Sequence, residues 1–303
     1  MEVDASAAGR DWLDLPREIL TTILLKLDVV EILTSAQRVC NQWRSVCLDP
    51  SMWRRIDMWN SSNLWDVDYD QTRMCMHAID RSLGCCEDIA VQFFGNDQLL
   101  LYIAGSCSKL RRLRLVSCGG VSDEGLCEAV GKLPLLEEIE LYHCELSGKA
   151  LETIGRSCPR LKSFKLNNIG ARLPLLEYND EALAIAKNMP GLRHLMLFGN
   201  RMSNVGLMAI LDGCPHLESL DLRQCYRVDL KDDLARRCER IKNLNRPLDC
   251  TEDYEFQEAL SDSEDCEDYP TGFSDIDYFS DDYGNYFEFS GESDYDLSYF
   301  YYD

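Results

Sequence analysis

Fifteen cysteines, four histidines and 53 acidic side chains are the groups in this chain with the means to hold a metal, move protons or attack as nucleophiles. Their spacing points away from each of these. No Cys-x-x-Cys pair occurs, so the thiols lack the ligand spacing of a zinc site, and they do not form the framework of a small disulfide-rich domain. Asp66-Val67-Asp68-Tyr69-Asp70 has the alternating acids of a calcium loop, but the sixth position is Gln71 where a glycine must turn the chain and the twelfth is His77 where a glutamate must close the site. An acidic start to a helix through Met74, His77 and Ala78 accounts for that segment better. His77, His143, His194 and His216 stand apart from one another, and no P-loop, HExxH, GxSxG or Gly-rich dinucleotide turn is present. We therefore expect no catalytic residues, no metal and no cofactor. Asn60-Ser61-Ser62 fits a glycosylation acceptor without a secretory signal to support it, and Ser261, Ser274 and Ser293 each precede an acid by three residues, the spacing of acidic-directed phosphorylation sites.

Charge and hydropathy divide the chain. Of the net −22, most lies from Pro247 onward, where 19 acids and 15 aromatics occur without a single Lys or Arg. That acidic balance opposes nucleic-acid binding, which needs a basic stripe to release counterions. No run is long and apolar enough for a membrane helix, so a soluble, unsecreted protein without a membrane partner is expected. Uncompensated charge predicts a disordered tail over 247–303, whose aromatics engage a partner or the chain's own basic positions.

An internal period organises the middle. Cys107, Leu110, Leu113, Leu115 and Cys118 are echoed by Leu133, Leu136, Ile139, Leu141 and Cys144, and then by Cys158, Leu161, Phe164, Leu166 and Ile169. Two further copies begin at Met189 and Cys214; a degenerate one (Leu83, Cys86, Ile89, Val91, Phe94) precedes them and a truncated one (Cys238, Ile241, Leu244) follows. The L-x-L step has the period of a half-buried strand, and segments such as Ser122-Asp123-Glu124-Gly125-Leu126 begin like capped helices. Such units cannot bury their edges alone, so they must stack into an α/β solenoid with a parallel sheet inside and helices outside. Cysteines recurring at one phase are expected to be small buried groups. Residues 170–182 are extra to the period and read as a rim loop.

Ahead of the repeats, Ile19, Leu20, Ile23, Leu24 and Leu27 follow helical spacing after Pro16, and Ala36, Val39, Cys40, Trp43 and Val46 repeat it before Asp49-Pro50 ends the pattern. A stretch of about 40 residues is too small to be self-sufficient, so its apolar groups need covering by the solenoid or by a partner. The order Leu15-Pro16, Ile19-Leu20, Leu24, Leu27, Ile32-Leu33, Val39-Cys40, Trp43-Arg44, Asp49-Pro50 and Trp53 resembles an F-box, with Trp12 similar to its plant form and Glu31 where many relatives carry Asp. Joined to cysteine-containing leucine-rich repeats, it resembles plant F-box/leucine-rich-repeat proteins of the Skp1-interacting-partner class. Ile169 departs from that family's Asn-or-Cys position.

The resemblance implies a non-catalytic substrate receptor of an SCF ubiquitin ligase in nucleus and cytoplasm. It implies docking on a Skp-type linker through Leu15, Pro16, Ile19, Leu20, Leu24, Leu27, Leu33, Val39, Cys40 and Trp43, with a cullin recruited indirectly and a target protein held on the repeats. A non-degradative Skp-binding scaffold and a solenoid inhibitor are the alternatives. Strand residues alternating with the buried leucines give Arg112, Arg114, Glu138, Glu140, Lys165, His194, Met196 and Asp221 as target contacts, with the arginines facing the glutamates across about 4.8 Å and His194 and Met196 the least self-satisfied. The expected division is a flexible 1–10, an F-box at 11–56, a linker and cap at 57–82, repeats at 83–246 and the tail at 247–303.

Overall fold

A computed structural model describes residues 15–58, 70–144, 146–167 and 178–256 of the protein. The amino terminus through Trp12, the glycosylation triplet, the acidic segment before Asp70, Ile169, the rim loop up to residue 177 and the tail from 257, with Ser261, Ser274 and Ser293, lie outside the described residues.

Three short helices open the fold: α1 (Arg17–Leu24), α2 (Val29–Thr34) and α3 (Asn41–Cys47). Asp28 starts α2 by accepting the Glu31 backbone N–H at 2.7 Å, while the Glu31 carboxylate reaches back to the Asp28 N–H at 3.4 Å, so a glutamate at 31 completes a capping box. Strands and helices then alternate: β1 (Arg55–Met58), α4 (Gln71–Arg81), β2 (Asp88–Gln92), α5 (Asp97–Ser106), β3 (Arg112–Val116), α6 (Asp123–Gly131), β4 (Glu138–Tyr142) and α7 (Gly148–Ser157). They continue with β5 (Ser163–Asn167), α8 (Asp180–Asn188), β6 (His194–Phe198), α9 (Asn204–Gly213), β7 (Ser219–Asp221), α10 (Asp232–Cys238) and β8 (Asn243–Asn245). The eight strands form one parallel sheet in chain order. Each strand is returned to its neighbour by a helix, which is the connection parallel pairing requires.

The buried face of the sheet is the repeated L-x-L: Leu113 pairs with Ile139, Phe164 with Leu195 and Leu115 with Leu141, all at or near zero exposure. Cysteines fill the turns after β3, β4 and β7, as Cys118, Cys144 and Cys225. Cys118 donates to the Val91 carbonyl at 3.6 Å and Cys225 to the Leu197 carbonyl at 2.8 Å, each reaching back to the preceding strand. Burial pushes these thiols up, Cys118 to about 11 and Cys225 to about 12, so they are packing groups rather than nucleophiles.

A second ladder locks the helical layer. Asp97, at the start of α5, accepts both the N–H (2.8 Å) and the hydroxyl (2.7 Å) of Ser122, whose oxygen in turn caps α6 through the Gly125 N–H at 3.0 Å. Asp123 repeats this on Ser147, and Asn179 does so on Ser203 with 3.0 Å to its N–H. Gly125 is required there, because a Cβ at that position would lie 2.0 Å from the Asp97 carboxylate.

Two expected boundaries move. The solenoid begins one strand earlier, since Arg55–Met58 pairs with Asp88–Val91 although it fell at the F-box and linker border. Four residues of alternation are too short to show a period, and 33 residues separate Arg55 from its partner Asp88. Leu83, read as a buried repeat position, is instead 77% exposed with φ of 48°, a turn residue after α4. At the other end, residues 247–256 are not free tail but pack on the sheet, as Tyr254 at 6% exposure shows.

Candidate docking surfaces

α1 carries apolar groups on two faces. Leu20 and Leu24 point into the chain's own core at 0% exposure, whereas Ile19 is 50% exposed with Ile23 half-buried beside it on the helical face one turn on. Nearby, Val39 is 61% exposed and Pro16 is exposed, while Leu15, Leu27, Cys40 and Trp43 are half-buried. Leu20, Leu24 and Leu33 therefore leave the set available to a linker: they are the seal between these helices, a role that i, i+4 spacing alone does not separate from an outward one. Leu25 and Leu48, both half-exposed or more, were missed because they lie off the motif.

The helices are held firmly in place. Gln42 donates to the Leu15 carbonyl at 3.0 Å, and Arg17 donates to Ser45 (3.1 Å) and Asp49 (2.8 Å), fixing α1 against α3. The Arg17 hydrogen bond, with the Ser51 N–H, holds the Asp49 carboxyl down to about 2. Trp53, nearly fully buried, donates its indole N–H to the Cys47 carbonyl at 2.9 Å, and Arg81 of α4 covers its ring at 5.4 Å while reaching Gln37 at 2.8 Å. Asp70 caps α4 by accepting the Arg73 N–H at 3.1 Å, the acidic helix start expected there.

On the inner face of the sheet the strand register sets charges side by side. Arg112 sits between Asp88 (3.1 Å) and Glu138 (2.7 Å), and Glu140 between Arg114 (3.3 Å) and Lys165 (2.7 Å), matching the predicted cross-strand pairs. The positions just before the strands repeat the pattern, with Arg111 and Lys162 flanking Glu137 at 2.5 and 2.7 Å. A groove of about 390 Å³ runs along these strand starts from Glu87 to His194. Burial raises Glu140, but Lys165 and Arg114 outweigh it and leave the carboxyl below its usual value.

These contacts sort the expected target residues. Arg112, Glu138, Lys165, His194 and Met196 keep accessible surface, His194 the most open of the last pair. Glu140 and Asp221 are each only 6% exposed, and Asp221 is clasped by Arg223 (2.8 and 3.0 Å) and Asn245 (2.9 Å). Glu140, Asp221 and Arg114 are thus occupied within the chain and drop out as free contacts; alternation put them on the right face but could not show how deep they sit. From β5 to β8 the first inward position carries Ser163, His194, Ser219 and Asn243, so in that row the alternating charges end at Glu138, while the row just before the strands continues with Glu218 between Arg193 (2.5 Å) and Lys242 (3.5 Å).

A third inward row went unnoticed in the sequence: Tyr142 and Phe198, one step beyond the L-x-L core, with Arg223 following at the same phase. The clue was present as Leu141-Tyr142 and Leu197-Phe198. This row is covered by residues 247–256. Tyr254 stacks on Phe198 at 3.9 Å and 15°, Phe256 lies 4.5 Å from Tyr142, and Glu255 pairs with Arg114 at 2.5 Å. Arg223 donates to the Cys250 carbonyl at 3.1 Å and pairs with Asp253.

Comparison with known proteins finds matches in both the N-terminal helices and the repeats. Residues 12–59 match an F-box-like family model, residues 92–184 the leucine-rich repeats of the FBD-associated F-box protein At5g56370, and residues 189–211 a leucine-rich repeat. The chain is 49% identical over 298 residues to the F-box protein SKIP19 of Arabidopsis thaliana, covering 97% of this chain and 94% of that one. It is 50% identical to the putative F-box/LRR-repeat protein 23 (79% of this chain, 54% of that one) and 33% identical to the F-box protein SKIP1 (79% and 88%), both from Arabidopsis thaliana. With its helical F-box, its stacked repeats and relatives matched over most of their length, the chain belongs to the plant F-box/leucine-rich-repeat proteins of the Skp1-interacting-partner class, adaptors of the SCF type.

Proposed function

We propose that the protein is a non-catalytic substrate receptor of an SCF ubiquitin ligase, acting in nucleus and cytoplasm. Its N-terminal helices dock a Skp-type linker, which brings a cullin, and its sheet presents a target protein for ubiquitination. The observation that carries this reading is the outward apolar set of Ile19, Val39 and Pro16 on helices whose inner face is already sealed. Exposed apolar groups on so small a helical unit mark an interface rather than a core. Target contact falls to the open residues Arg112, Lys165, His194 and Met196.

The test is capture of a recombinant Skp-type linker by the full chain. Ile19→Asp with Val39→Asp should abolish capture while the melting temperature stays within a few degrees, because both side chains are exposed. Linker binding undiminished in a folded double variant would refute the docking surface. Target turnover then decides the degradative step: proteins captured by the intact chain and released by Arg112→Glu should accumulate when the chain is removed.

A further inference from the structure

Residues 253–256, Asp-Tyr-Glu-Phe, are bound the way a ligand is bound. Their side chains have complementary partners at successive points: Asp253 on Arg223, Tyr254 on Phe198, Glu255 on Arg114 and Phe256 on Tyr142. The receiving surface is built independently of them. Arg223 is held by Asp221 through paired hydrogen bonds and lies 5.5 Å over the Phe198 ring, and Arg114 is steadied by Glu140 and lies 5.4 Å over Tyr142. Each station therefore joins a fixed guanidinium to an aromatic floor, a pairing that recognises an acid next to a ring. Tyr142 and Phe198 stand on the inner face, yet with the segment in place their exposures are 3% and 0%.

We infer that the third row of the inner face is a docking site for an acidic peptide segment of a partner protein carrying an aromatic–glutamate–aromatic triplet, and that residues 253–256 occupy it as a tethered competitor. The triplet Tyr254-Glu255-Phe256 recurs in this sequence as Phe287-Glu288-Phe289. Tethering gives the built-in segment an effective concentration on the order of millimolar, so a partner segment must bind well or arrive on a protein that already touches the open residues near His194. This deepens the reading of the inner face as the target surface and rests on it, but not on linker docking.

The test uses the full chain carrying Tyr254→Ser, Glu255→Lys and Phe256→Ser, which frees the site, and a fluorescein-labelled peptide of residues 249–256 with Cys250→Ser. Fluorescence anisotropy should show the opened chain binding the peptide at least about tenfold more tightly than the unaltered chain, weakening as salt rises. A peptide with Glu255→Lys should lose about tenfold or more in affinity, as expected for a lost charge-assisted hydrogen bond. No binding to a folded opened chain, or equal binding of the Glu255→Lys peptide, overturns the inference. If the opened chain melts early, hydrogen exchange on the unaltered chain decides: excess peptide should speed exchange at residues 253–256, and unchanged protection overturns it. Linker capture by the same opened chain reports the N-terminal surface separately, so failure of one reading is not mistaken for failure of the other.

Discussion

The N-terminal helices and the third row of the sheet both carry more apolar surface than their local elements can hide, and the chain treats them oppositely. On α1, Leu20 and Leu24 are sealed while Ile19 is left bare; on β4 and β6, Tyr142 and Phe198 are covered by residues fetched from beyond the last strand. Under the proposed docking, the surface left open by exposed Ile19, Val39 and Pro16 is the one that serves another molecule. Under the proposed competition, the surface closed by a segment with its own acid-to-arginine pairing is the one a partner segment reproducing that pairing would take. Burial depth, not residue type, separates the positions on α1: within six residues Leu20 and Leu24 are sealed, Ile23 is half-buried and Ile19 is exposed.

That contrast can be broken at graded strength. The largest effect should come from the sealed side. Leu24→Ala removes a fully buried side chain and should cost about 2–5 kcal/mol, read by urea unfolding, with linker capture lost only as folding is lost. At the covered row, Tyr254→Ala should cost about 2–3 kcal/mol by uncovering Phe198, with faster hydrogen exchange at the ends of β4 and β6. Tyr254→Phe should be neutral or slightly stabilising, because the Tyr254 hydroxyl is buried without a hydrogen-bond partner among the described residues. Equal losses from the two Tyr254 variants would mean the hydroxyl, not the stacked ring, holds the segment down. The smallest effect concerns what pins α1. Asp49 titrates lower in the folded chain, near 2, than when unfolded, so its pairing with Arg17 stabilises fully above pH ~4 and fades as pH falls toward 2. The pair is partly exposed, so the loss should not exceed about 1 kcal/mol, and Asp49→Asn should flatten that portion of a stability–pH curve.

Much of this was legible before any coordinates. The spacing of Leu113, Leu115, Ile139 and Leu141 placed strands β3 and β4 and set Arg112 opposite Glu138, because a period of two and a repeat of 26 residues leave only one way to stack. The capped starts at Ser122 and Asp70 were equally readable, since capping is decided within a single turn. The early strand Arg55–Met58 escaped, being too short to carry a period, and so did the return of residues 247–256, whose acidic composition argues for disorder when read alone.

The sequence by itself determined the local and the repeated: which residues turn inward along each strand, where helices begin, and which N-terminal pattern precedes the solenoid. Only the tertiary structure decided which apolar faces stay open, because exposure depends on what distant segments come to lie on them. Glu255 and Arg114 are 141 residues apart in the chain, and no spacing rule within a repeat reaches that far. Their meeting follows from stacking the repeats between them, which brings residues 253–256 back across the row that Tyr142 and Phe198 form.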